Sequence, residues 1–369
     1  MIKLNSEEYS LAEDLLGKHA VHLAVQALLA GDSAGEIYLD DREEPRTVFA
    51  RTMRRYFLAG SYENINFNQS LQHYLDQQVF PAGLENSDDG FTFFFSPSGW
   101  ESQIIEQLLP GRYPLVQQRA YFRCRRLVHD WREFLPDGYR LVEVDQKLLE
   151  NEHLDNYVGL VEEIHSECKS VLQFLHDRFG FCLLKGDQII TWCLSEYNSG
   201  GRCEIGIATL PGYRRKGLAK AATLALVEKA LRSGYHEVGW HCYASNVGSI
   251  ATAQSAGFEK ICLYPTLNVS YEKAIAFSLI ANQAVEKQAY QQALEWFQKA
   301  MDEPATPGWI YWNAAVVCAY LDQENLAFQY LHQAIDLGFN DVDIFKSSQH
   351  FFKWHQTEAW ESLINQLQS

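Results

Sequence analysis

One stretch sets the terms for its surroundings: Thr209-Leu210-Pro211-Gly212-Tyr213-Arg214-Arg215-Lys216-Gly217-Leu218-Ala219-Lys220. An apolar, strand-like run (Cys203–Thr209) precedes it and a helical run to about Arg232 follows. Pro211 and Gly212 end the strand. Gly217 and Ala219 remove bulk where backbone N–H groups must face outward. A helix start leaves donors unpaired and carries partial positive charge. Residues 212–235 hold six Lys/Arg (Arg214, Arg215, Lys216, Lys220, Lys229, Arg232) against Glu228, a local balance of +5 in a chain whose net charge is −16. A pyrophosphate fits such a place. The loop is no Walker A motif, since GxxxxGK[S/T] is absent, and no Rossmann turn, since there is no GxGxxG.

The rest of the chain is read around this loop. At roughly 100–200 residues per domain, 369 residues predict two or three domains. With 47% hydrophobic and 21% charged residues a packed core is expected, not disorder. The acidic balance argues against nucleic-acid and membrane partners. Eight dispersed cysteines without a CxxC read as reduced thiols. The first residues contain no apolar signal core and no 18-residue window spans a bilayer, so the expected location is cytoplasmic.

Residues 1–135 read as an α+β unit: helical over 1–30, strands at 36–40, 48–50, 55–60, 92–95 and 117–127, and a helix over 66–80. Residues 136–270 read as mixed α/β: a strand at 139–144, helices within 146–178, strands at 180–184, 188–195 and 203–209, the basic loop, a helix to 232, a strand at 237–242, a helix at 247–256 and a strand at 258–263. Residues 271–369 read as helical, with a repeat: Ala293, Phe297 and Ala300 recur 34 positions later as Ala327, Leu331 and Ala334. That period suits stacked helix pairs, and this tail resembles the tetratricopeptide repeat, departing from it at Ala315, where Gly is usual.

About thirty residues beyond the loop comes Trp240-His241-Cys242-Tyr243-Ala244-Ser245-Asn246-Val247-Gly248-Ser249, running on to Gly257-Phe258. Arg214 to Ala219 resembles the (Gln/Arg)-x-x-Gly-x-(Gly/Ala) signature of the GCN5-related N-acetyltransferase superfamily. Asn246 through Gly257-Phe258 resembles that superfamily's continuation. Gly180-Phe181-Cys182, Cys203–Thr209 and Trp240-His241-Cys242 are similar to the zwittermicin-resistance-type subgroup, which carries a degenerate half before the active one. The resemblance implies a mixed-sheet acetyltransferase fold that binds acetyl-CoA. It implies pantetheine pairing along Ile205, Ile207 and Thr209, and pyrophosphate binding by amides across Arg215, Lys216, Gly217, Leu218 and Ala219. Arg214 or Lys220 would meet phosphate charge, with Asn246 and Ser249 near the arm.

Acetyl transfer to an amine needs a base, an oxyanion donor and a proton for the thiolate. Alternation places Cys203, Ile205 and Ile207 on one face of a strand and Glu204, Gly206 and Ala208 on the other. Glu204, among apolar neighbours, is the expected base, with a raised pKa. The superfamily's usual acid is a tyrosine seven residues after the asparagine; Ala253 stands there, and Tyr243 is the substitute candidate. His241 reads equally as core or catalytic. Glu162, His165 and Cys168 share a helix face, but HExxH is absent and no metal is expected. The expected function is N-acetyl transfer from acetyl-CoA by direct attack of a primary amine, most simply of a small molecule. The helical tail is a possible protein-binding surface. The alternative is a non-catalytic CoA-binding protein acting through its helical repeats.

Overall fold

Among the described residues, runs of β-branched and aromatic residues, punctuated by Gly, Pro and Asp, form twelve strands: β1 (Ile2–Lys3), β2 (Glu36–Leu39), β3 (Thr47–Thr52), β4 (Arg55–Gly60), β5 (Gly90–Ser96), β6 (Leu115–Cys124), β7 (Tyr139–Glu143), β8 (Gly180–Lys185), β9 (Gln188–Ser199), β10 (Arg202–Thr209), β11 (Glu237–Tyr243) and β12 (Glu259–Ser270). The structure, a computed structural model, describes residues 1–368. The strands make one sheet in the order β1-β2-β3-β4-β5-β12-β6-β11-β10-β9-β8-β7.

Two features of this order position the site. First, β6, last strand of the first half, pairs antiparallel with β11 of the second (Cys124↔Val238 through Arg119↔Tyr243). Conversely β12, last of the second half, lies between β5 and β6. Each half is completed by the other's final strand. Second, each half contains one parallel pair, β4 with β5 and β10 with β11. The first pair stays zipped from Arg55↔Thr92 to Ala59↔Ser96. The second runs only from Arg202↔Glu237 to Ile205↔Trp240, although β10 continues to Thr209 and β11 to Tyr243.

Burial explains the sequence patterns. The Phe93-Phe94-Phe95 run is buried throughout, as expected of a parallel strand covered on both faces. Phe57 and Phe94 stack at 5.0 Å across the β4–β5 pair. The helix Leu218–Arg232 buries Leu218, Ala222 and Leu226 against Cys193, Cys203, Ile205 and Trp240. On the opposite face, the helices Tyr157–Glu167 and Val171–Asp177 share a core with Cys182, Trp192 and Leu194. The eight cysteines are free thiols, seven of them buried.

Residues 1–30 are helical in pieces, and one strand end is corrected. They form 3-10 turns at Ser6–Ala12 and Gly17–His19, a single α-turn at Glu13–Leu16, and a helix at Leu23–Leu29. His19 and His22 are buried, and His22 takes an extended backbone (φ −101°, ψ 104°) that interrupts the helix to seat its ring among Phe57 and Phe94. β9 does not end at Ser195 but continues to Ser199. Gly200 and Gly201, both at positive φ (55° and 71°), make a two-residue hairpin turn, so Asn198 and Ser199 pair with Cys203 and Arg202.

By contacts the chain divides into two compact units. One comprises Met1–Gln72, Phe91–Gln107 and Val116–Asn268. The other comprises His73–Gly90, Leu108–Leu115 and the chain from Val269 onward. The second is helical, including Lys273–Glu286, Tyr290–Met301, Gly308–Tyr320 and Glu324–Asp336. Ala293, Phe297 and Ala300 and their counterparts Ala327, Leu331 and Ala334 are all fully buried. Small residues there let neighbouring helices approach, while Phe297 and Leu331 fill the space between.

Candidate active site

Where β10 and β11 part, β10 keeps its bonds to β9 out to Thr209↔Thr191, and β11 keeps its bonds to β6 out to Tyr243↔Arg119. A wedge therefore opens between them, and β10 from Gly206 onward turns backbone groups toward it. The Thr209 carbonyl accepts from Arg214 Nε at 3.1 Å, which draws the basic loop against the strand end.

After the 3-10 turn Pro211–Tyr213, Arg215 (φ 60°) and Gly217 (φ 80°) adopt left-handed backbone conformations. Alternation of this kind gathers successive N–H groups into a concave nest. The first intrahelical bond is Ala221 N–H to Gly217 O, so the Leu218, Ala219 and Lys220 amides precede the helical ladder. Arg214, Arg215, Lys216 and Gly217 are exposed. A Cβ at Gly217 would meet only the Phe134 carbonyl, at 3.8 Å, so the space in front of the nest is open. The loop's own side chains lie back from it: Lys216 Nζ donates to Gly212 O at 3.1 Å, and Lys220 Nζ sits 3.6 Å from the Phe134 ring centroid.

On the β11 side, Asn246 Oδ1 caps the helix Val247–Ser255 by accepting from Ser249 N–H at 3.0 Å. Ser249 Oγ accepts from Trp240 Nε1 at 3.1 Å. Both residues fix the geometry of the wedge mouth through these bonds. Tyr243 sits at the end of β11, its hydroxyl accepting from Asn268 Nδ2 at 3.2 Å and its ring lying 4.9 Å from the Arg119 guanidinium. Ala253 is fully buried and belongs to the core that holds Leu218, Trp240 and Phe258.

Glu204 is buried in mid-strand; its side chain is 4% exposed. Oε1 accepts from Leu23 N–H, on the helix covering this face, and from His241 Nε2, while Oε2 lies 3.5 Å from Arg55. Gly239 makes room, since a Cβ there would stand 3.0 Å from Glu204 Cγ. The expected upward pKa shift is corrected. Burial pushes the carboxyl up, but His241, Arg55 and the Leu23 amide outweigh it and hold Glu204 below the usual value.

His241 belongs to the same buried chain. Nε2 faces two acceptors, Glu204 Oε1 and the Val21 carbonyl, both at 3.2 Å, so it carries the proton. Nδ1 then accepts from Tyr264 O–H at 2.8 Å. Burial, together with Arg119 and Arg55, lowers the His241 pKa despite Glu204, which keeps this neutral tautomer at pH 7. His22 stacks on it at 5.2 Å and is likewise pushed down by burial.

Sequence reading missed Arg55, Glu167, Glu196 and Tyr264. Arg55 Nη2 donates to Glu167 at 2.8 Å and also to Glu196, and its guanidinium lies 4.7 Å from the Tyr197 ring. Glu196 is the extra residue of a β-bulge: Ser195 pairs with Ile205 and Tyr197 with Glu204. The bulge turns Glu196 and Tyr197 to the Glu204 face. Burial pushes the Glu196 carboxyl up, Arg55 pulls it down, and Glu167, Glu163 and Glu204 push it up again, to about 7. The available signal was Gly206, a glycine in mid-strand: a Cβ there would lie 2.1 Å from Glu196 Oε1. Far from the wedge, a cavity of about 640 Å³ opens at the start of β10 and the C-terminal end of the Leu218–Arg232 helix, lined by Glu143, Arg178, Gly201, Lys229 and Tyr235 among others.

Comparison with known proteins adds to this geometry. The profile of a family described as GNAT acetyltransferase matches residues 13–267. An uncharacterized N-acetyltransferase of Bacillus subtilis, YdfB, is 26% identical over 263 residues, covering 71% of this chain and 96% of that protein. A GCN5-related N-acetyltransferase-like protein from Streptococcus suis superposes with a TM-score of 0.54 at 22% identity, over 72% of this chain and 99% of its own. A GCN5-related N-acetyltransferase from Sphaerobacter thermophilus superposes with a TM-score of 0.50 at 12% identity, over 73% and 95%.

Proposed function

We propose that this chain, which belongs to the GNAT acetyltransferase family, moves the acetyl group of acetyl-CoA to a primary amine by direct attack. The observation that carries this reading is the early end of the β10–β11 pairing at Ile205↔Trp240, with a loop of outward amides directly beyond β10. The first half's parallel pair stays zipped, so we assign the donor to the second half alone.

The residues present suit acetyl-CoA. An open nest with positive side chains around it matches a diphosphate in shape and charge. Backbone groups of Ile205, Ile207 and Thr209 border the wedge where an amide-bearing arm would lie. Bound there, acetyl-CoA supplies an activated thioester. Amides across Arg215–Ala219 would hold its diphosphate, and Arg214 would add charge from the rim. Tyr243, at the end of β11, would line the thiol end of the groove.

The expected acceptor is a small-molecule amine. The face of β10 bearing Gly206 is flanked by Glu163, Glu167 and Glu196, carboxylates that favour an approaching ammonium group. Free thiols and a need for acetyl-CoA suit the cytoplasm, and among the described residues no helix is long and apolar enough to cross a membrane. Calorimetric titration of the full chain with acetyl-CoA tests the reading. Binding weakened at least about tenfold by Gly217→Val supports it, a loss of about 1.4 kcal/mol. No heat of binding at millimolar acetyl-CoA refutes it.

A further inference from the structure

We infer that Glu196, rather than Glu204, is the catalytic base, accepting on Oε1 the proton that the acceptor amine loses. This rests on the acetyltransferase reading and adds to it a residue carried by the strand next to β10.

The argument begins with backbone geometry. Gly206 is the first residue of β10 beyond the parallel pairing, so it stands at the apex of the wedge. The bulge in β9 swings Glu196 across this residue, and Oε1 occupies the place a Cβ would take. Any side chain at 206 would expel the carboxylate. Glu196 Oε2 is held by Arg55 Nη2, which fixes the carboxylate and leaves Oε1 over the wedge apex. Glu204 is differently placed. Both of its oxygens face protein partners beneath the Leu23–Leu29 helix. The side chain of Glu196 is 19% exposed, against 4% for Glu204. Of these two carboxylates, Glu196 is the one that combines a fixed position with access, and its Oε1 is the one set over Gly206.

Its proton affinity suits the task. The charged groups facing it are Arg55 from β4, Glu163 and Glu167 from the Tyr157–Glu167 helix, Glu204 from β10, and Arg178 beyond the Val171–Asp177 helix. Burial raises the Glu196 carboxyl, Arg55 pulls it down, and Glu167, Glu163 and Glu204 push it up again, so a carboxyl poised near neutral pH results. Behind Glu196 lies a cavity of about 10 Å³, lined by Glu163, Glu167, Ser195 and Arg178. That is about the room one water needs, and it offers the proton a way out.

In the step itself the ammonium group first gives one proton to Glu196 Oε1, which passes it to solvent. The neutral amine nitrogen then bonds to the acetyl carbonyl carbon, the carbon–sulfur bond breaks, and the proton that the nitrogen sheds as the amide forms leaves to solvent by the same carboxylate. Sulfur leaves as thiolate and takes a proton from water.

The test uses the full chain with acetyl-CoA and a mixture of hexamethylenediamine, ethanolamine and tyramine, following thiol release from pH 5.5 to 9. Wild type should show a rate limb near pH 7. Glu196→Gln should lose about 10²-fold or more at pH 7.5 and lose the limb, with acetyl-CoA affinity within about twofold of wild type. Gly206→Ala, which displaces the carboxylate instead of removing it, should also cost at least about tenfold. A second readout needs no turnover: in carboxyl-¹³C-labelled protein without acetyl-CoA, one glutamate should titrate near pH 7 and vanish in Glu196→Gln. The inference is overturned if Glu196→Gln keeps the rate and the limb, if Glu204→Gln removes the limb instead, or if no glutamate titrates near pH 7. Absence of acetyl-CoA binding in wild type overturns the acetyltransferase reading. Binding without transfer to any of the three amines overturns the transfer step, and the role of Glu196 with it.

Discussion

Replacing Arg55 by methionine should destabilise the protein in a pH-dependent way whose sign the structure dictates. Arg55 contacts Glu167, Glu196 and Glu204, and its side chain is 13% exposed, so water cannot take its place readily. Removing one partner of a buried pair costs about 3–5 kcal/mol. Protonation caps the loss. Neutralising a carboxyl of ordinary pKa at pH 7 costs about 3.7 kcal/mol, which is about 2.7 pH units at 1.36 kcal/mol each. The variant should therefore be about 3–4 kcal/mol less stable at pH 7.5, its orphaned carboxyls taking up protons. Each extra proton bound by the folded state makes stability fall by about 1.4 kcal/mol per pH unit as pH rises. The deficit should thus shrink toward pH 5. Urea unfolding at pH 5, 6.25 and 7.5 reads this directly. A deficit that is constant, or that grows in acid, would refute the claim that Arg55 serves to neutralise these carboxylates.

Other expectations follow from the same geometry. Glu196 has a folded pKa of about 7, above the unfolded value, so it costs stability as pH rises between the two. Glu196→Gln should be more stable than wild type at pH 8, by up to about 3 kcal/mol, and equal to it near pH 4.5; thermal melts at the two pH values check this. Tyr264→Phe leaves His241 Nδ1 without its donor and should cost about 1–3 kcal/mol in urea unfolding. Phe297→Ala, in the helical unit, should cost about 3–5 kcal/mol, seen as an earlier helical transition by circular dichroism.

Local features of the fold were legible in the sequence. The strand–loop–helix around Gly217 could be read because each of its demands falls on neighbouring residues: a stop at Pro211, a left-handed glycine, a basic helix start. The long-range features were not. Nothing local says that β6 pairs with β11 or that β12 lies beside β5, because pairing partners are chosen by whole-sheet packing. Arg55 meets Glu196 across 141 residues of sequence, and Glu167 across 112. Strict alternation places Glu204 on the right face, yet says nothing of the Leu23–Leu29 helix that covers it. Alternation also breaks at the bulge, and ending β9 at Ser195 removed Glu196 from view. The pKa of Glu204 was misjudged for the same reason: desolvation is readable from apolar neighbours in sequence, whereas His241 and Arg55 arrive only with the fold.

Hydrogen–deuterium exchange of the full chain with and without saturating acetyl-CoA bears most directly on the open wedge and its nest of amides. Slowed exchange concentrated in residues 205–221 is the predicted result. Binding that leaves those amides exchanging as before, with protection elsewhere in the sheet or in the helical unit, would contradict it.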